Sequence, residues 1–219
     1  ELLDDPQIRE VRMTGNGSYD LAWLTTLAER PEVGFSIPLT RSLNTQADLV
    51  RDSRHFAANA EVIPTGKGDP LLGTLAIPQQ ATQAVLSASA ARRLDVKVND
   101  SFRLLVNRKI DGVNQKAQIA LTVTGIVDEA KFARPGIFVT LPLLMALEDY
   151  RDGFQAPLLA VSEGQPAPER ERFSRARLYA RSLDDVAPLA RWLEENHIES
   201  VTQSARIDAV RAIDSVLGM

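Results

Sequence analysis

Few side chains in this chain have both the type and the spacing for chemistry. The two histidines, His55 and His197, stand far apart and lack a neighbouring ligand pattern, so they read as surface or strand-edge residues and not as a metal or acid–base pair. Asp4-Asp5, Asp184-Asp185 and Glu194-Glu195 are paired carboxylates. The second pair opens a helix, where the macrodipole favours anions, and the third lies on that helix's exposed side near its end, so solvated faces are expected. Gly66-Lys67-Gly68-Asp69 has glycine and lysine but not the spacing of a phosphate loop, and no Ser or Thr follows the lysine. Ser87 and Ser89 lack a nucleophile-elbow setting, and Ser87 reads as a helix cap. Nucleophile, base and orienting group do not converge, so an enzyme is not expected, and no catalytic residue, cofactor or metal site is assigned.

The remaining candidates are contact residues. Trp23 and Trp192 occupy nearly equivalent places in two helices; packing is the preferred reading, and contact with a partner or hydrophobic cargo the other. Arg92-Arg93 and Lys131-Phe132-Ala133-Arg134 are small basic groups with apolar neighbours. The latter reads as a loop, which makes Phe132 and Arg134 candidates for partner contact, with substitution of both expected to leave the fold intact.

These residues must be held by two kinds of element. Near the start, residues 11–14 read as a strand, 20–29 as a helix with Leu21, Leu24, Leu27 and Ala28 inward, and 33–37 as a returning strand after Pro31. Strands at 45–51 and 57–63 follow, before the glycine-rich break. Near the other end, 175–180 reads as a strand, Ser182 with Asp185 as a capping box, Val186, Leu189, Ala190 and Leu193 as a helical stripe, and 198–202 as a strand. Asp20-Leu21-Ala22-Trp23-Leu24 lines up with Asp185-Val186-Ala187-Pro188-Leu189, so the ends read as two copies of one strand–helix–strand unit.

The middle has different punctuation: a short helix after Ser87, a turn at 95–100, strands at 102–106, 119–127 and 137–139, and a helix opened by Thr140-Leu141-Pro142. Residues 162–171, rich in Pro, Glu and Gly, read as linker. The expected class is α+β: 1–72 a first terminal βαβ unit, 73–160 an inserted, mainly β module, 161–171 a linker, and 172–219 a second βαβ unit with a further helix.

Composition narrows the class. With 44% apolar and 25% charged residues, the 219-residue chain has the balance of a folded globular protein. Its 25 basic and 29 acidic residues are interspersed, leaving no basic stripe for nucleic acid. Cysteine is absent, which excludes disulfides and thiolate chemistry. No stretch reaches the roughly 18 apolar residues a membrane helix needs. Glu1 opens the chain, and Ile207, Val210, Ile213 and Leu217 carry a helix capped by Ser204 to the last residues. The expectation is an extracytoplasmic part cut from membrane helices at both ends.

The middle carries a resemblance. Val85-Leu86-Ser87-Ala88-Ser89-Ala90-Ala91-Arg92-Arg93-Leu94-Asp95-Val96-Lys97-Val98-Asn99-Asp100-Ser101-Phe102-Arg103-Leu104, followed by Leu121-Thr122-Val123-Thr124-Gly125-Ile126-Val127, resembles the extracytoplasmic core of MacB/FtsX/LolC-type ABC-transporter permeases. Phe138-Val139-Thr140-Leu141-Pro142-Leu143-Leu144 is similar to that family's strand leading into a short helix. Asn99 stands where the family has glycine; Asn takes the left-handed turn conformation nearly as readily. The resemblance implies a porter part made by the two terminal units and a sabre part made by the insert, between the first and second membrane helices. It also implies a periplasmic location at the inner membrane, an ATP-binding subunit, a second permease copy or related subunit, and a periplasmic partner or hydrophobic cargo. The function it implies is coupling of ATP-driven helix movement to export, lipoprotein transport or partner activation. The alternative from the residues is a soluble periplasmic adaptor, or an enzyme on a ferredoxin-like scaffold.

Overall fold

Capping and apolar spacing lay down the helices, and alternation lays down the strands, of a computed structural model that describes residues 5–41 and 44–219. In chain order the first elements are β1 (Arg12–Met13), β2 (Tyr19–Asp20), α1 (Leu21–Ala28) and β3 (Val33–Leu39). Then come β4 (Thr45–Val50), β5 (Phe56–Pro64), β6 (Gln83–Ser87), α2 (Ala88–Leu94), β7 (Ser101–Ile110), β8 (Val113–Val127), β9 (Gly136–Val139) and α3 (Leu141–Arg151). The last are β10 (Arg172–Phe173), β11 (Arg175–Ala180), α4 (Leu183–Glu195), β12 (Ser200–Val201) and α5 (Ser204–Leu217). The class is α+β.

The chain divides into two units, one from residues 1–42 and 171–219, the other from 43–170. In the terminal unit, β3 pairs antiparallel with β11 from Leu39–Arg175 to Val33–Ala180, and β1 with β12 at Arg12–Val201 and Met13–Ser200. A Glu10–Tyr179 bridge and the Val11 N–H donated to the Leu178 carbonyl at 2.9 Å join the pairs. The resulting antiparallel order, β12-β1-β11-β3, is that of a split β-α-β pair. Asp20 caps α1 by accepting the Trp23 N–H at 2.8 Å, and Leu24 and Leu27 bury against Val186, Leu189 and Leu193 of α4 in one core. In α5, Ile207 and Val210 join that core, and the Arg206 guanidinium lies 2.5 Å from Asp5 Oδ2.

The other unit is a closed barrel in the order β4-β5-β9-β6-β8-β7. Its core includes Leu49, Leu104, Leu121 and Ile137 of the strands, with Leu94 of α2 and Leu143, Leu147 and Tyr150 of α3. The β4–β7 ladder that closes it has only three rungs, Asp48–Leu105, Leu49–Leu104 and Val50–Arg103. Past them, α3 ties the two strands together through side chains. Thr45 donates its hydroxyl to the fully buried Glu148, and Arg151 donates to the Gln46 carbonyl. From β7, Arg108 donates to the Tyr150 and Phe154 carbonyls at 3.3 and 3.0 Å.

Three readings are corrected. Residues 45–50 and 56–64 are barrel strands, so the inserted unit starts near 43 and not at 73, and residues 161–170 go with the barrel. The strands expected at 102–106 and 119–127 are both present and longer than expected, forming one hairpin with rungs from Ser101–Thr122 to Ile110–Val113. Ser182 is the N-cap of α4, but its hydroxyl accepts no backbone N–H and instead donates to Asp185 at 2.7 Å, so the two do not form a capping box. Ser204 begins α5, whose N-cap is Gln203. Asn99 does adopt φ 77°.

Candidate functional site

The two tryptophans meet. Trp23 on α1 and Trp192 on α4 stack at 6.0 Å between centroids, Tyr19 stacks on Trp23 at 4.8 Å, and the Arg30 guanidinium lies 4.3 Å above Trp192. Both indoles are half-buried, so the repeated positions join the two helices and leave one edge of the ladder in solvent. Trp23→Ala is expected to lower the terminal unit's stability by about 1–2 kcal/mol in urea unfolding, because it removes a stacked pair on each side. An unchanged midpoint would mean that the ring serves contact alone.

Phe132 is corrected. Its ring is 5% exposed and meets Phe138 edge-on at 5.4 Å. A Cβ at Gly136 would sit 2.6 Å from it, so glycine permits the close approach. Substituting Phe132 therefore strikes the packing of the barrel unit, and the expectation of an unaltered fold does not hold for it. Arg134 remains exposed at 61% of its side chain, lying over the Phe132 ring at 4.2 Å and pairing with Glu61 at 2.5 Å. The structure places Phe132 and Arg134 in the barrel unit and the tryptophans in the terminal unit.

His55 ends the β4–β5 turn, its Nδ1 2.8 Å from Asp52 Oδ1. Asp52 also accepts the Arg54 N–H at 2.9 Å, while Arg51 donates to the Asp95 carbonyl at 2.6 Å. The Arg54 N–H, helped by the His55 and Arg51 side chains and against the effect of desolvation, holds the Asp52 carboxyl well below the usual range. A depressed pKa means that the turn's contribution to stability is present above the ordinary aspartate value of about 3.9 and is lost as pH falls through the lower folded value. Carboxyl carbon titration by NMR should give Asp52 a midpoint clearly below about 3.9; an ordinary midpoint would show that these bonds do not form in solution.

The other candidates stay apart. His197 is exposed with φ 61°, Lys67 projects from a loop, and Asp184 pairs with Arg211 at 2.7 Å. Ser87 Oγ accepts the Ala90 N–H at 3.2 Å and the Gly136 N–H at 2.9 Å, the cap expected plus a link to β9. Among the described residues no group of three His, Asp or Glu side chains is placed to hold a metal.

One feature was missed in the sequence. An open groove of about 940 Å³ runs beside β12, walled by Ala187, Ala190, Arg191 and Glu194 of α4 and by residues 197–202. Its signal is the i, i+3, i+4, i+7 spacing of those helical residues, a face of small and charged side chains beside the buried stripe. The side chains of Arg191, Glu194 and Glu199 have no hydrogen-bond or ion-pair partner among the described residues. No family model matches the chain, and no curated protein matches it.

Proposed function

We propose that this chain is the extracytoplasmic domain of an ABC-transporter permease of the MacB/FtsX/LolC type. The terminal unit would be its porter part and the barrel its sabre part. It passes the movement of ATP-driven membrane helices to export, lipoprotein transport or partner activation outside the inner membrane. The observation that carries this reading is the meeting of the two end segments. Asp5 beside the 3-10 turn Pro6–Arg9 is paired with Arg206 of α5, with the whole barrel looped out between them. A domain hung between two membrane helices needs entry and exit at one place. The motif order from Val85 to Leu144 supports the family.

Such a domain needs no catalytic group of its own, and ATP hydrolysis falls to a separate subunit bound by the full-length permease. A second permease copy or related subunit completes the pair. No helix among the described residues is long and apolar enough to cross a membrane, so spans would have to lie in flanking sequence. The test is the hydropathy of the full gene product on both sides of Glu1 and Met219. One apolar span before and about three after, without an ATPase domain, is the expected result. Polar flanks on both sides would overturn it and favour a soluble adaptor.

A further inference from the structure

We infer that Asn16 is a site of spontaneous covalent modification, converting through a cyclic imide with Gly17 to isoaspartate and aspartate and so altering the entry into β2 and α1. Asn16-Gly17 is the chain's single Asn-Gly pair, and every other asparagine precedes a residue that carries a Cβ. Glycine, which has none, lets its main-chain nitrogen approach the preceding side chain without a steric penalty.

The loop between β1 and β2 leaves both reacting groups available. Asn16 is exposed, and neither its carboxamide nor the Gly17 N–H has a hydrogen-bond partner among the described residues. Comparable groups elsewhere are held. The Asn196 carboxamide donates to the Trp192 carbonyl at 2.8 Å. Gly153, which follows an aspartate, donates its N–H to the Tyr150 carbonyl at 3.0 Å.

The chemistry needs only water and hydroxide. Hydroxide takes the Gly17 amide proton, and the nitrogen attacks Cγ of Asn16. The new N–Cγ bond closes a five-membered imide, the Cγ–Nδ2 bond breaks, and the leaving nitrogen takes a proton from water to depart as ammonia, which restores the hydroxide. Water then opens the ring. Attack at the main-chain carbonyl leaves Gly17 joined through Cγ, which is isoaspartate, and attack at Cγ gives aspartate. One water is consumed, one ammonia is released, and a carboxylate replaces a neutral amide.

The position gives the change a structural effect. A Cβ at Gly17 would run into the Tyr19 ring, so that ring rests on the glycine backbone. Tyr19 in turn stacks on Trp23 at 4.8 Å and pairs with Phe173 of β10. Ser18 Oγ accepts from Arg172 Nε at 3.1 Å, and Asp20 caps α1. Isoaspartate routes the chain through its Cβ, which lengthens the main chain ahead of these contacts and shifts the backbone beneath Tyr19. Aspartate adds charge alone. All of these residues lie in the terminal unit, and the inference stands apart from the permease reading.

The test ages the full 219-residue chain in mildly alkaline buffer and maps its fragments by mass spectrometry. The fragment holding Asn16 is expected to gain the mass of an NH-to-O exchange about tenfold faster than a fragment holding any other asparagine. Isoaspartate is scored by methyl transfer from an isoaspartyl methyltransferase and should exceed aspartate. Asn16→Gln, whose longer side chain would have to close a six-membered ring, should abolish the gain. Indole emission should change in the aged chain as Tyr19 leaves Trp23, and should match the fresh chain in freshly made Asn16→Asp, which has the charge without the added main-chain atom. Three outcomes overturn the inference: a gain at Asn16 no faster than at other asparagines, aspartate formed without isoaspartate, or isoaspartate formed with indole emission unaltered.

Discussion

Arg108→Met is expected to destabilise the barrel by about 3 kcal/mol, because it removes charge-assisted hydrogen bonds to Gln115 and to the Tyr150 and Phe154 carbonyls, of which the Tyr150 carbonyl keeps the Gly153 N–H as donor. Arg108 is 6% exposed although it lies on a hairpin arm of polar sequence. Its guanidinium donates to Gln115 Oε1 at 2.7 Å, directly across the ladder, and to the Tyr150 and Phe154 carbonyls at the C-terminal end of α3. It also lies 4.2 Å from the Tyr150 ring, whose hydroxyl pKa is raised by burial. Methionine retains most of the volume, so the loss reports the bonds and not a cavity. The chain provides two readouts. Both tryptophans lie in the terminal unit, so indole fluorescence follows that unit, while far-ultraviolet circular dichroism follows both. In urea, the dichroism transition should shift in Arg108→Met and the indole transition should stay. A loss below about 1 kcal/mol would mean that water replaces the guanidinium at no net cost.

Ser87→Ala should cost about 2–3 kcal/mol, the sum of a lost helix cap and a buried N–H left without an acceptor. Ser87 is fully buried, and one hydroxyl serves the first turn of α2 and the first residue of β9. Ser89→Ala, on the half-buried side of the same helix, should stay within about 0.5 kcal/mol. Amide exchange localises the effect, since Ala90 and Gly136 should lose protection together. If only Ala90 does, the link to β9 is made by another group.

Ser87 was legible because a polar residue before an apolar, small-residue run has a local use, and capping is local. The same holds for Asn99 in its left-handed turn. Alternation likewise marked β3 and the later half of β8. Partner choice was not legible. The alternation at 45–50 and 56–64 identifies strands, but their ladder partners lie at 103–105 and 136–139, and nothing local in the chain names them. That is why two barrel strands were assigned to a terminal unit.

The hairpin arms were missed for another reason. From Asn107 to Lys116 the side chains are mostly polar, and a search for apolar periodicity ends at Val106. The available signal was Asp111-Gly112, which takes φ values of 50° and 78° at the tip, the preference of a tight hairpin turn. The contact residues were legible in part. The near-equivalent places of Trp23 and Trp192 pointed to packing but not to their stacking on each other, and no local pattern tells that Phe132 turns inward onto Phe138 while Arg134 stays out. The groove beside β12 depends on which strand ends the sheet, a property of topology.

The division of the chain also sets an order of events during synthesis. All barrel strands and α3 lie between residues 43 and 170, so the barrel can close once that stretch has left the ribosome. The terminal unit cannot. β1 and β3 find their partners only in β11 and β12, which emerge last, so the first βαβ segment must wait with unpaired edges while more than a hundred residues fold behind it. During that interval a nascent chain exposes Val11, Met13, Val33 and Leu27, which the finished protein hides. Demand for a holding chaperone should therefore peak after the barrel has formed, and premature termination soon after residue 170 would release a folded barrel with a sticky tail.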